Sequence, residues 1–217
     1  MWCVSSKSDA GIIKDHQMAG KNETDEGRSL SDAAKSFNRL ENTLLQNRTL
    51  TLFGEINQDV ARKMSERLLG LAFENDDPIT LYIGSPGGHV ESGDTIFDLI
   101  QYIKPDVRIV GTGWVGSIAT HIYLATDKKL RFCLPNTRFL IHQPSGGFGG
   151  DASDIEIHAQ EILKTRERIN GIIAERTGQT LEKVTEDTQR DCWMSAEESV
   201  NYGLVGKIIA GFNELPA

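Results

Sequence analysis

"VRIVGTGWVGSIATHIYLATD", residues 107–127, decides the fold. Its opening "VRIVGT" is apolar and β-branched and reads as a strand. Ser117 follows, set between a glycine and an isoleucine, and opens a helical run. A strand that passes directly into a helix is one unit of an α/β domain. The lone hydroxyl at that junction has two readings. It caps the helix, or it is a nucleophile held where a helix begins.

The same alternation continues on both sides. "TLTLFG" (49–54) reads as a strand, followed by a helix capped by Asn57 with Val60, Met64, Leu68 and Leu71 along its apolar face. "ITLYIG" (79–84) has the apolar run of a strand covered on both faces. "SPGG" then leads into a helix with Val90, Phe97, Ile100 and Ile103 on its inner side. Further strands are expected at 130–134 and 139–143, separated by Pro135-Asn136. A glycine-rich "GGFGG" precedes a long helical run over about 152–176, its apolar face marked by Ile155, Ile162, Ile169 and Ile173. Ser195 to Glu198 fits a capping box, and "LVGKII" fits a last strand. Repeated β-α units imply right-handed crossovers and an α/β domain.

Composition narrows the class. The chain has 217 residues, 39% apolar and 25% charged, with a net charge of −8. That balance is globular and weighs against nucleic acid or an anionic membrane as partner. No apolar run spans a bilayer. Cys3, Cys133 and Cys192 form no C-x-x-C pair, which fits a reducing, cytoplasmic compartment. The five histidines lie far apart without an H-E-x-x-H, so no metal site is expected. Residues 1–30 are polar and mixed in charge, with no secretory h-region, and are expected to be a disordered tail or a removable propeptide.

Three loop positions carry chemistry at strand ends, where sites of α/β sheets gather: the "SPGG" loop, Ser117, and His142 in "IHQP". Ser117 lacks the G-x-S-x-G elbow, since Val115 and Ala119 stand at the flanking positions. A reactive serine needs a base, an acid to orient that base, and backbone N–H donors for the oxyanion. Ile118 at the helix start has a free amide, and Gly88 can bring a second one close.

At this point the sequence resembles a known family. "LYIGSPGGHVESGDTIFDLIQYIKPDV", "GWVGSIA", "LPNTRFLIHQPSGG", "EILKTRERIN", "ERTGQTLEKV" and "DTQRDCWMSAEESVNYGLV" follow the order of motifs in the proteolytic subunit of the Clp protease, ClpP, over roughly residues 50–210. The resemblance implies a spiral of repeated β-α units, shared with crotonases, and a protruding handle of strand plus long helix at about 143–176. It implies a ClpP-like domain over 31–217. Ser117 matches the nucleophile, His142 the general base and Asp191 the orienting acid, with the amides of Gly88 and Ile118 as the oxyanion hole. Asp187 and His121 are decoys, and His121 reads as a packing substitution where the family usually has an aromatic or apolar residue. The family also implies two stacked heptameric rings, a ClpX, ClpA or ClpC type AAA+ unfoldase that uses the ATP, unfolded protein substrates and no cofactor. No G-x-x-x-x-G-K-[ST] is present for nucleotide.

Four departures stand out. "AAKSFNRLENTLL" replaces the family's tyrosine-containing helix before residue 50, the region of the axial gate. Ile118 stands for a methionine, with Trp114 and Val115 for small residues; Gly84 stands for an asparagine; Gln189 stands for an acid that pairs across the rings with the arginine matching Arg190. Two other functions remain open at this level. One is a paralogue acting structurally in a mixed ring. The other is a crotonase-type acyl-CoA enzyme, which leaves the Ser–His–Asp set unexplained.

Overall fold

The computed structural model describes residues 39–147 and 149–216. Residues 43–217 form one unit and residues 1–42 another, of which only 39–42 are described. The polar segment 1–30 therefore lies outside the described residues, as does the first part of the divergent stretch before residue 50.

The elements run β1 (Thr49–Phe53), α1 (Gln58–Glu74), β2 (Ile79–Ser85), α2 (Val90–Tyr102), β3 (Val107–Gly116), α3 (Ile118–Tyr123), β4 (Arg131–Cys133), β5 (Arg138–Ile141), α4 (Ala152–Thr177), α5 (Leu181–Asp187), β6 (Cys192–Met194), α6 (Ala196–Tyr202) and β7 (Lys207–Ile208). Strands β1-β2-β3-β4-β7 lie side by side and parallel. The caps form as the sequence suggests. Asn57 accepts from the Val60 amide, and Ser195 and Glu198 complete a reciprocal capping box. The stripe Met64, Leu68 and Leu71 of α1 is buried, as are Ile96, Phe97 and Ile100 of α2. Both pack with Ile79, Leu81 and Ile83 of β2 in one core. The opposite face of the sheet is less covered than expected. β2 alternates buried with half-buried residues, and Tyr82 packs against a small second cluster of Val110, Phe132 and Ile209.

The largest difference from the sequence reading concerns β3, which runs on to Gly116 instead of stopping at Thr112. Gly113, at φ 60°, lets the strand bend and continue. Before the bend Ile109–Gly111 pair with β4; beyond it Trp114–Gly116 pair with β5, which in turn pairs antiparallel with β6. This branch carries the chain straight to Ser117. The short β6 and α5 escaped the periodicity argument because each is too short to show one. The expected last strand shrinks to Lys207–Ile208, because Leu204 and Val205 are spent as core plugs.

The long helix α4 forms and ends at Gly178 in the left-handed region. Its expected apolar face holds only in part. Ile169 and Ile173 are buried, whereas Ile155 is 46% exposed beside the exposed Ile157 and Leu163. The first half of α4 extends past the core of its own chain. Residues 142–147 before it join no strand ladder among the described residues.

Candidate active site

Ser117 is placed by three constraints. Its amide donates to Leu140 O at 2.9 Å, tying the end of β3 to β5. Thr120 Oγ1 donates to both Val115 O and Leu140 O at 3.0 Å, which clamps the first turn of α3 to the same two strands. The backbone at Ser117 then adopts φ 56°, ψ −129°. A residue with a side chain rarely occupies that region, and holding it there costs about 1–3 kcal/mol. Ser117 does not act as a cap: its side chain accepts no hydrogen bond from the helix.

The "SPGG" loop crosses directly over this point. A Cβ on Gly87 would stand 2.6 Å from Ser117 Cβ and 2.8 Å from Gly116 O. Only glycine permits that approach. The loop is pinned by Ile56 N donating to Gly87 O at 2.9 Å and His89 N donating to Ile56 O at 2.8 Å. This leaves the Gly88 amide, like that of Ile118 at the start of α3, with no acceptor among the described residues.

His142 follows the last residue of β5. Its Nδ1 lies 2.9 Å from Asp191 Oδ1. An ionised carboxylate only accepts, so the imidazole proton sits on Nδ1 and Nε2 is left as the basic nitrogen. Two bonds hold the loops of this pair together: Gln143 N donates to Thr188 O at 2.7 Å, and Gln143 Nε2 donates to Gln189 O at 3.0 Å. Ser117 and His142 line one cavity, together with Ile118, Ile141 and Pro144. Ser117 Oγ makes no hydrogen bond to the ring among the described residues. Ser117, Ile118 and His142 thus share one cavity, Asp191 joins it through His142, and Gly88 follows the glycine packed on Ser117, with the Ser117–His142 link still open.

The decoys separate clearly. Asp187 is occupied by Lys183 Nζ and by Tyr202 OH at 2.9 Å. His121 lines the same cavity as Ser117, but stacks on Phe97 at 4.2 Å and sets Nε2 3.2 Å from Asp94 Oδ1. Asp94 is the residue that the sequence reading missed. A single aspartate in a helical stretch carries no signal, and its partners come from two other elements. Arg168 grips it with Nη1 to Oδ1 at 2.9 Å and Nη2 to Oδ2 at 2.6 Å. Burial raises the Asp94 pKa, but the His121 and Arg168 contacts outweigh it and bring the value down to about 2. Neither described cysteine offers a competing nucleophile. Burial pushes the Cys133 thiol up to about 12 and raises that of Cys192 as well. Among the described residues no group of three or more His, Cys, Asp or Glu side chains is placed to hold a metal ion.

Comparison with known proteins identifies the family. The family model described as Clp protease matches residues 32–211. The chain is 54% identical over 169 residues to ATP-dependent Clp protease proteolytic subunit 3 of Rhizobium etli, covering 78% of this chain and 87% of that protein. It is 51% identical over 171 residues to proteolytic subunit 2 of Pseudomonas aeruginosa, covering 79% and 85%. A solved structure of a ClpP1 mutant from Listeria monocytogenes superposes with a TM-score of 0.76 at 51% identity, covering 80% of this chain and 98% of that one. The acyl-CoA alternative finds no support in these matches. With the family model spanning residues 32–211 and about half of the aligned residues shared with proteolytic subunits, the chain belongs to the Clp protease family and is a protease.

Proposed function

We propose that the chain is the serine endopeptidase subunit of an ATP-dependent Clp protease, with Ser117 as nucleophile, His142 as general base and Asp191 as orienting acid. The observation that carries this reading is the strained backbone of Ser117 at a cavity it shares with a histidine already bonded to a carboxylate. Substrate binding closes the remaining Ser117–His142 link, as apo sites commonly tighten only when occupied. Ser117 Oγ then attacks the scissile carbonyl carbon while His142 Nε2 takes its proton. The carbonyl oxygen gains the negative charge and receives the amides of Gly88 and Ile118. Collapse of the tetrahedral species expels the amine, which leaves with the proton from His142, and water repeats the sequence on the acyl-enzyme.

The assembly follows the family. Two stacked heptameric rings enclose the sites, and an AAA+ unfoldase of the ClpX, ClpA or ClpC type feeds in unfolded protein and consumes the ATP. This chain itself uses no cofactor, and neither nucleic acid nor membrane is a partner. The words "ATP-dependent" and "subunit" in the relatives' names support this arrangement. So does the run of exposed apolar residues on the first half of α4, which suits contact between rings. The subunit numbers 2 and 3 borne by relatives favour a second reading, a ring mixed with a paralogue. No helix among the described residues is long and apolar enough to cross a membrane, and the proposed location is the cytoplasm.

The decisive experiment is Ser117→Ala. Peptide hydrolysis is expected to fall about 10⁶-fold, and fluorophosphonate labelling to vanish, with the assembly intact. Normal turnover by a clean preparation of that variant overturns the assignment.

A further inference from the structure

Beyond its bend, β3 joins β5 and β6 in a small branch of the sheet, and the two faces of that branch differ. Side chains alternate along a strand, so Val115, Phe139, Ile141 and Met194 share one face, and Trp114, Arg138, Leu140 and Trp193 share the other. The first face is core, and its Ile141 lines the cavity beside Ser117. The second carries two large aromatic side chains in water, Trp114 at 43% and Trp193 at 38% exposed. Exposed apolar area gathered at one spot marks a surface that binds something.

The three long side chains of this face form one shelf. The indole rings of Trp114 and Trp193 lie 5.4 Å apart, tilted by 37°. The Arg138 guanidinium sits over the Trp193 ring, 4.4 Å from its centre. The shelf reaches the nucleophile. A Cβ on Gly116, the residue before Ser117, would stand 2.5 Å from Trp114 Nε1 and 3.3 Å from Pro86 O. The Trp114 indole therefore lies across the peptide that leads into Ser117, beside the loop that carries Gly88. The alternation that places Leu140 and Trp193 on this face reaches His142 two residues on from the first and Asp191 two residues back from the second.

We propose that Trp114 and Trp193 form a subsite for the first substrate residue on the amine side of the scissile bond, and that this subsite selects aromatic side chains. Arg138 is its positioning residue, holding the Trp193 ring from one face. The chemistry of the cut assigns the side. His142 hands its proton to the departing amine, so the amine stands by the imidazole, on the face that carries the shelf. The cavity lined by Ile118 and Ile141 opens on the opposite face of the branch and is left for the acyl side. A third ring laid against two tilted indoles gains offset or edge-to-face contact beyond the area it buries, which a small side chain does not.

The proposal rests on Ser117 and His142 acting as nucleophile and base, so the test separates the two. The full-length assembled protein is assayed with internally quenched peptides that differ only at the first amine-side residue, phenylalanine against alanine, with the cleaved bond confirmed by mass spectrometry. The wild-type kcat/KM ratio Phe:Ala is expected to be about tenfold, the order that one aromatic contact with its buried area supplies. Trp193→Ala and Trp114→Ala are each expected to lower it about fivefold, and Trp193→Phe, which keeps an aromatic face, to hold it within about twofold. A second peptide pair, leucine against alanine on the acyl side, is expected to keep its ratio in every variant. If Trp114→Ala does not assemble, Trp193→Ala carries the test. A wild-type Phe:Ala ratio near one, or a ratio unchanged by Trp193→Ala, overturns the proposal. A shelf covered by a neighbouring subunit shows as dissociation of Trp193→Ala in sedimentation velocity together with a wild-type ratio near one, and overturns it too. A Ser117→Ala protein that still turns over substrate overturns instead the reading on which the proposal rests.

Discussion

Two His–Asp pairs lie close to one serine, and their difference shows how a fold sets identical side chains in unlike environments. His142 and Asp191 sit on loops, with side chains 28% and 62% exposed, joined by a well-aligned bond of 2.9 Å. His121 and Asp94 sit on helices α3 and α2, with side chains 1% and 21% exposed, at 3.2 Å and out of line. The first pair leaves a basic nitrogen free on a ring that water and substrate reach, as proton transfer requires. The second has its carboxylate claimed by Arg168 and its ring wedged against Phe97. Buried and pinned, its ring nitrogens face no open space.

The sharpest way to break this comparison is to remove the rings one at a time. His142→Ala is expected to lower peptide turnover by about 10⁶-fold and to abolish fluorophosphonate labelling, while Asp191→Asn costs about 10⁴-fold through the wrong tautomer. If His142→Ala stays active while His121→Ala is dead, the two roles have been exchanged.

A smaller effect distinguishes the pairs by acid. The folded-state pKa of Asp94 is depressed to about 2 from an ordinary 3.8. A depressed carboxylate contributes stability that is present above its unfolded pKa and is lost as pH falls through the folded one. The contribution should be fully present above about pH 4 and disappear as the pH falls towards 2. Urea unfolding of the wild type and Asp94→Asn at pH 5 and pH 2.5 checks this. The gap between the two proteins should narrow at the lower pH, and a constant gap would show that the carboxylate's charge is not what stabilises.

The smallest expected effect lies beside Asp191, the proposed orienting acid. Gln189 stands where the family usually has an acid, and both it and Arg190 are exposed in the single chain. Its backbone carbonyl, not its side chain, receives Gln143, so Gln189→Glu leaves the tie to the His142 loop intact. An exposed ion pair is worth about 0–1 kcal/mol, repeated around a ring. Gln189→Glu is therefore expected to strengthen ring–ring association a few-fold and to raise peptidase activity at high dilution. Sedimentation velocity beside turnover across a dilution series tests it, and indifference to residue 189 rules that role out.

What could be read from the chain alone was local or repetitive. The strands 49–53 and 79–85, the stripe Met64, Leu68 and Leu71, and the caps at Asn57 and Ser195 were legible because each depends on residues a few positions apart. Ser117, His142, Asp191, Gly88 and Ile118 were nameable because their motifs resemble one family. Tertiary structure decided the rest. The bend at Gly113 that extends β3 to the serine depends on β5 being there to pair with it. The strain at Ser117 depends on bonds to Leu140, 23 positions away by number, and only the folded chain sets Asp191 against His142 while Lys183 and Tyr202 hold Asp187. Asp94 was invisible in the sequence because a carboxylate's role is set by what faces it. Here His121 and Arg168 come from two other helices, brought together only when the chain folds.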